Sequence, residues 1–95
     1  MRVVLADAAK SDLKAIMRYT KGQWGGAQAQ KYLSSIRERF RLLGNRPELG
    51  TVRTEFQRPL RSFPVEKHII YYRVTTGTLH VVRILHQRMD AVTHL

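Results

Sequence analysis

The stretch from Leu60 to Asp90 does most to limit what this chain can fold into. LRSFPV, HIIYYRV and TLHVVRILHQRMD are rich in β-branched and aromatic residues, and His68–Val74 and Thr78–His86 predict two strands. Thr75-Thr76-Gly77 joins them closely enough to make an antiparallel hairpin. Leu60–Val65 predicts a further strand broken at Pro64, since proline has no N–H to give a ladder and favours an edge or bulge. Alternation places Leu79, Val81, Arg83 and Leu85 on one face of the last strand, and His80, Val82, Ile84 and His86 on the other. On its neighbour, Ile70, Tyr72 and Val74 oppose Ile69, Tyr71 and Arg73. Both faces are therefore partly apolar. One needs a covering layer, and the other is expected to leave an apolar patch studded with basic groups, the kind of surface that binds a partner.

The first half supplies the covering layer. Arg2–Ala6 (RVVLA) predicts an opening strand, followed by a helix capped at Asp7 or Ser11. Ala9, Leu13, Ile16 and Met17 recur at helical spacing, with Lys10, Lys14, Arg18 and Lys21 on a neighbouring face, and this helix is expected to end near Gly22. After a break at Gln23-Trp24-Gly25-Gly26, Ala29, Tyr32, Leu33, Ile36, Phe40 and Leu43 mark a second helix, stopped by Gly44-Asn45 and Pro47. Residues 47–59 show no pattern and predict a loop. The expected fold is α+β, β-α-α-β-β-β: a helical hairpin on one face of a small, twisted, mainly antiparallel sheet. At 95 residues the chain is expected to be a single domain, 1–95.

Charge and composition narrow the function classes. The formal net charge is +10, which calls for a polyanionic or acidic partner: nucleic acid, or an acidic protein that covers the basic surface. The charge is spread along the chain, ten Lys/Arg against four acids in 1–50 and seven against two in 53–88. Cysteine is absent, removing disulfides, thiolate ligands and thiol nucleophiles together. Ala6-Asp7-Ala8 imitates a signal cleavage site, but only Val3, Val4 and Leu5 precede it, too few for a secretory signal. No apolar run approaches the ~18–20 residues of a membrane span. A cytoplasmic, soluble chain is expected.

Arg73 and Arg83 are the sharpest single residues. An arginine in mid-strand among Ile, Val and Leu reaches solvent, pairs with a carboxylate (Glu55, Glu66 or Asp90), or lines a functional groove. His68, His80 and His86 invite a catalytic or metal reading, because a free imidazole titrates near neutral pH, yet their spacing matches no metal site, and neither metal nor cofactor is expected. His86, near Arg83 and Arg88, is either a general acid or base beside a phosphate clamp or a hydrogen-bonded strand-end histidine. Trp24 is either a stacking group or the plug that fixes the helix crossing. Arg37, Arg39 and Arg41 scatter around their helix and predict a solvated face. No triad spacing, Gly-rich phosphate loop or paired carboxylates occur.

Taken in order, Asp12-Leu13, Ile16, Tyr19, Trp24-Gly25, Tyr32, Phe40, Pro47-Glu48-Leu49-Gly50, Arg53, Leu60-Arg61, Phe63-Pro64-Val65, His68, Tyr72-Arg73 and Val82–Asp90 with its closing LHQRMD resemble the ParE branch of the RelE/ParE toxin superfamily. The resemblance spans nearly the whole chain. It implies the toxin of a type II toxin–antitoxin system that inhibits DNA gyrase, trapping it on cleaved DNA, without being an enzyme itself. It also implies a ParD-like antitoxin in a hetero-oligomer, whose acidic and apolar C-terminal segment wraps this basic surface. DNA would be met only through gyrase or the antitoxin complex. Arg61, Arg73, Arg83, His86 and Arg88 are the candidates for binding target or antitoxin. The alternative is the RelE branch, a ribosome-dependent mRNA endoribonuclease, for which Arg61, Arg73, Arg83 and His86 would stabilise phosphorane charge and move the proton. The RelE-like pattern often ends with an aromatic near the C-terminus, and Met89–Leu95 contains none. Charge alone leaves a third reading, a small basic nucleic-acid-binding module.

Overall fold

The computed structural model describes all 95 residues. β1 (Arg2–Leu5) leads into α1 (Asp7–Trp24) and α2 (Gly26–Asn45), followed by β2 (Thr51–Arg53), β3 (Leu60–Val65), β4 (His68–Thr75), β5 (Thr78–His86) and α3 (Ala91–His94). The fold is α+β as expected. One five-stranded sheet runs β1-β5-β4-β3-β2, with β1 parallel to β5 and every other pair antiparallel. Ala9, Ile16, Ile36 and Leu43 of the helical hairpin pack on Val65, Ile70, Tyr72, Leu79, Val81 and Ile84 of the sheet to form the main core.

The helix ends differ from expectation. Ala6, not Asp7 or Ser11, precedes the first helical residue of α1, and no side chain caps it. Its N–H instead donates to the Val81 carbonyl at 2.9 Å, so the sheet fixes the strand-to-helix junction, while Asp7 in the first turn complements the helix dipole. α1 runs through Gly22 to Trp24, since a single glycine within a well-packed helix is tolerated. The break is Gly25 alone, at φ +91°, a conformation that L side chains avoid.

Three elements were not expected. Pro47–Leu49 forms a 3₁₀ turn and Thr51–Arg53 forms β2, paired with Leu60–Ser62, where a loop was predicted. Three residues are too few to show an alternating pattern. Because β2 begins opposite Ser62, the far end of β3 is an open edge, and Pro64 sits there, paired with β4 alone. The short α3 closes the chain, with Asp90 as its cap: its carboxylate accepts from Val92 N–H at 3.1 Å and Thr93 Oγ1 at 2.9 Å.

The alternation expected for β5 fails midway. Tyr72 pairs with Val81 and Tyr71 with Arg83, leaving Val82 as an extra residue. Such a bulge reverses the facing of everything beyond it. Leu79, Val81 and Ile84 join the main core, while Leu85 joins Leu60, Tyr71 and Ala91 in a second cluster on the opposite face. That second face is also less open than expected. Phe56 packs edge-on to Tyr71 with centroids 6.2 Å apart, and Arg53 lies over both rings at 5.7 and 5.8 Å. The 54–59 loop and α3 thus cover part of the patch.

Candidate interaction surface

Arg83 has a carboxylate partner, but neither Glu55, Glu66 nor Asp90. Asp12 of α1 receives its guanidinium in a two-pronged fork, Nε to Oδ2 and Nη2 to Oδ1, both at 2.8 Å. Asp12 Oδ2 also accepts the Ile84 N–H at 2.9 Å. The cause is the short β1: its pairing with β5 ends at Val81, so the N–H groups beyond have no strand partner and a helix carboxylate takes one. Arg83 Nη1 donates in addition to the His94 carbonyl at 2.8 Å, tying α3 to the same edge. Three of its bonds are therefore committed within the chain.

Arg61 is similarly engaged. It shares the helix-facing side of the sheet with its cross-strand neighbour Tyr72, and its Nη1 donates to the carbonyls of Gly50 at 2.8 Å and Glu48 at 3.2 Å. The buried Tyr72 hydroxyl donates to the Pro47 carbonyl at 2.7 Å and accepts the Gly50 N–H at 2.8 Å. A Cβ at Gly50 would lie 2.7 and 2.8 Å from ring carbons of Tyr72, closer than real contacts allow. The Pro-Glu-Leu-Gly segment is thus stapled by one tyrosine and one arginine, and burial raises the Tyr72 phenol above its ordinary value.

At the other end of the hairpin the histidines gather. His68 and His86 are cross-strand partners with rings edge-to-face, 5.3 Å between centroids. Tyr32 of α2 contacts His68 Nδ1 and donates to the Val65 carbonyl at 3.3 Å. Burial first, and then the neighbouring His86, push His68 down to about 4, so at neutral pH its imidazole is uncharged. Burial also raises Tyr32. His86 Nδ1 accepts the Arg88 N–H at 3.1 Å, while the Arg88 side chain is exposed. His80, on the other face, meets Thr75 Oγ1 at 2.9 Å.

Arg73 differs from all of these. It lies half-buried on the second face, where its Nη2 donates to the Arg58 carbonyl at 3.3 Å and its Nε is buried without a partner. Burial first, and then Arg58, lower its hold on the proton. The four residues proposed for phosphoryl chemistry therefore do not converge. Arg61 faces the helices at the Pro47–Gly50 turn, Arg73 faces the opposite way, Arg83 wraps the β5 edge, and His86 sits against His68. Trp24 does not plug the hairpin: it is 69% exposed, as Tyr19 is at 67%, and the hairpin is held instead by Ile16, Thr20, Ala29 and Ile36.

Sequence reasoning missed Asp12 and the Tyr32–His68 contact as parts of these arrangements. Asp12 lies 71 residues from Arg83 and Tyr32 36 from His68. The only signal was that a single acid, Asp12, stands next to the apolar stripe of α1.

The profile of a family described as the ParE toxin of type II toxin-antitoxin system, parDE, matches residues 3–91. Toxin ParE1 of Mycobacterium tuberculosis is 36% identical over 95 residues, covering 99% of this chain and 97% of the relative. Toxin ParE of Escherichia coli is 32% identical, covering 97% and 90%, and Toxin ParE1 of Caulobacter vibrioides is 30% identical, covering 96% and 94%. A solved chain from the chromosomal ParDE TA system of P. aeruginosa superposes with a TM-score of 0.77 over 90% of this chain and 95% of that one, at 24% identity, which speaks to the fold. With a profile match over nearly its full length and relatives of matching length, the chain belongs to the ParE toxin family of type II toxin–antitoxin systems.

Proposed function

We propose that this toxin acts in the cytoplasm as a non-enzymatic inhibitor of DNA gyrase that is held inactive by a ParD-like antitoxin. The observation that carries this is the match to the ParE family from residue 3 to residue 91, together with what the resemblance to ParE-like toxins implies. The dispersal of Arg61, Arg73, Arg83 and His86 favours it over ribonuclease action. Phosphoryl transfer needs a proton-transfer group and cations around one phosphate, and here Arg61 and Arg83 are bonded to the chain's own turn and helix. The +10 charge suits an acidic antitoxin segment. No helix is long and apolar enough to cross a membrane.

Expression of the chain without its antitoxin tests the reading. Thymidine incorporation is expected to stop within minutes while amino-acid incorporation continues, and co-expressed antitoxin restores growth. Prompt arrest of protein synthesis with cleaved mRNA would favour the ribonuclease.

A further inference from the structure

The second face of the sheet contains a half-buried arginine, Arg73, with no carboxylate partner. Between the 54–59 loop and α3 runs a groove of about 410 Å³ whose walls include Phe56, Leu60, Val82 and Val92, with Arg58 and Arg73 among them. Arg73 Nε is the one buried side-chain polar atom in the protein without a hydrogen bond. A buried donor left unpaired is costly, and a charged one more so. Glu55, the acid that lines the groove, is engaged by Arg53, which holds its Oε2 at 2.6 and 2.7 Å. Arg58 offers only its carbonyl and adds a like charge. A carboxylate meets this need best, because two oxygens can accept the Nε and Nη edge of a guanidinium together. The apolar walls set the neighbours of that carboxylate. They favour a peptide with aliphatic side chains on either side of the acid over a nucleic-acid strand, whose phosphates would leave those walls wet.

One wall of the groove is α3, through Val92. This four-residue helix buries only Ala91, and Val92 stays 62% exposed, so it covers the groove lightly. A carboxylate entering the groove meets Arg73 between α3 and the 54–59 loop.

We propose that Arg73 is the anchor for an acidic side chain, flanked by apolar residues, in the antitoxin segment that neutralises this toxin. The inference rests on the antitoxin partnership proposed above and assigns one contact within it.

The probe is the antitoxin encoded beside the chain's own gene, with its dissociation constant measured for the wild type, Arg73→Gln and Arg73→Lys. Arg73→Gln is expected to weaken binding by about tenfold or more. Changing the antitoxin's acids one at a time to amides should reveal one whose loss costs the same factor and adds nothing in the Arg73→Gln background. Arg73→Lys keeps the charge but lacks the planar fork; it is expected to recover only part of the affinity, and it carries the test if Arg73→Gln does not fold. A tight complex indifferent to both substitutions overturns the inference while leaving the partnership standing. Loss of RNA binding with unchanged antitoxin binding also overturns it, and failure of the wild type to bind the antitoxin overturns both.

Discussion

At the scale of residues, the site candidates Arg61 and Arg83 are bonded within the fold. Asp12 closes the open edge of β5 with three charge-assisted bonds, to Arg83 and to Ile84 N–H. Replacing it with Ala strands a backbone donor and a partly buried guanidinium, and is expected to cost about 1–3 kcal/mol in urea unfolding. Charge removal at Arg83 should destabilise through the same edge. Tyr72→Phe deletes the hydroxyl that serves Pro47 and Gly50 and should cost about 1–3 kcal/mol. Gly50→Ala should be worse, because the new methyl meets the Tyr72 ring and the ring is locked in the core. The sequence shows that these residue types are unusual in a strand. It does not show their partners, because no periodicity links positions 12 and 83 or 50 and 72.

At the scale of elements, periodicity is what the sequence conveys well. The apolar spacing of α1 and α2 and the hairpin of β4 and β5 are all present in the fold. Ile36, wholly buried between the helices and the sheet, is expected to cost about 2–5 kcal/mol when cut to Ala. What breaks local pattern stays hidden. The extra Val82 inverts half of β5 without any sequence mark, and β2 and α3 are too short to establish a period. The junction of α2, β4 and β5 has a property of its own. His68 titrates near 4 in the fold, below the ordinary histidine value near 6.5. The unfolded chain therefore takes up its proton first as the pH falls, and stability is full above about pH 6.5 and declines toward pH 4. Urea unfolding at pH 7.5 and 5.0 should differ by about 1–2 kcal/mol from this group, and His68→Gln should reduce the difference. An unchanged pH profile in that variant would contradict the placement of His68 against Tyr32 and His86.

At the scale of the whole molecule, an excess of ten positive charges surrounds a core that is otherwise conventional. Few of those charges are paired: the ion pairs are Arg46–Glu48, Arg53–Glu55 and Arg83–Asp12. Trp24 and Tyr19 stand exposed on the helical hairpin, and Arg73 waits unpaired on the opposite side of the sheet. The proposed antitoxin, supplying negative charge and apolar cover, suits such a molecule, and the spread of these arginines over different faces favours that proposal over a phosphate site. The direct measurement is gyrase supercoiling of relaxed plasmid with purified toxin, alone and with its antitoxin, beside a ribosome-dependent mRNA cleavage assay. The account predicts loss of supercoiling with accumulation of cleaved DNA, reversal by the antitoxin, and intact mRNA. Unimpaired supercoiling together with ribosome-dependent mRNA cleavage would contradict it.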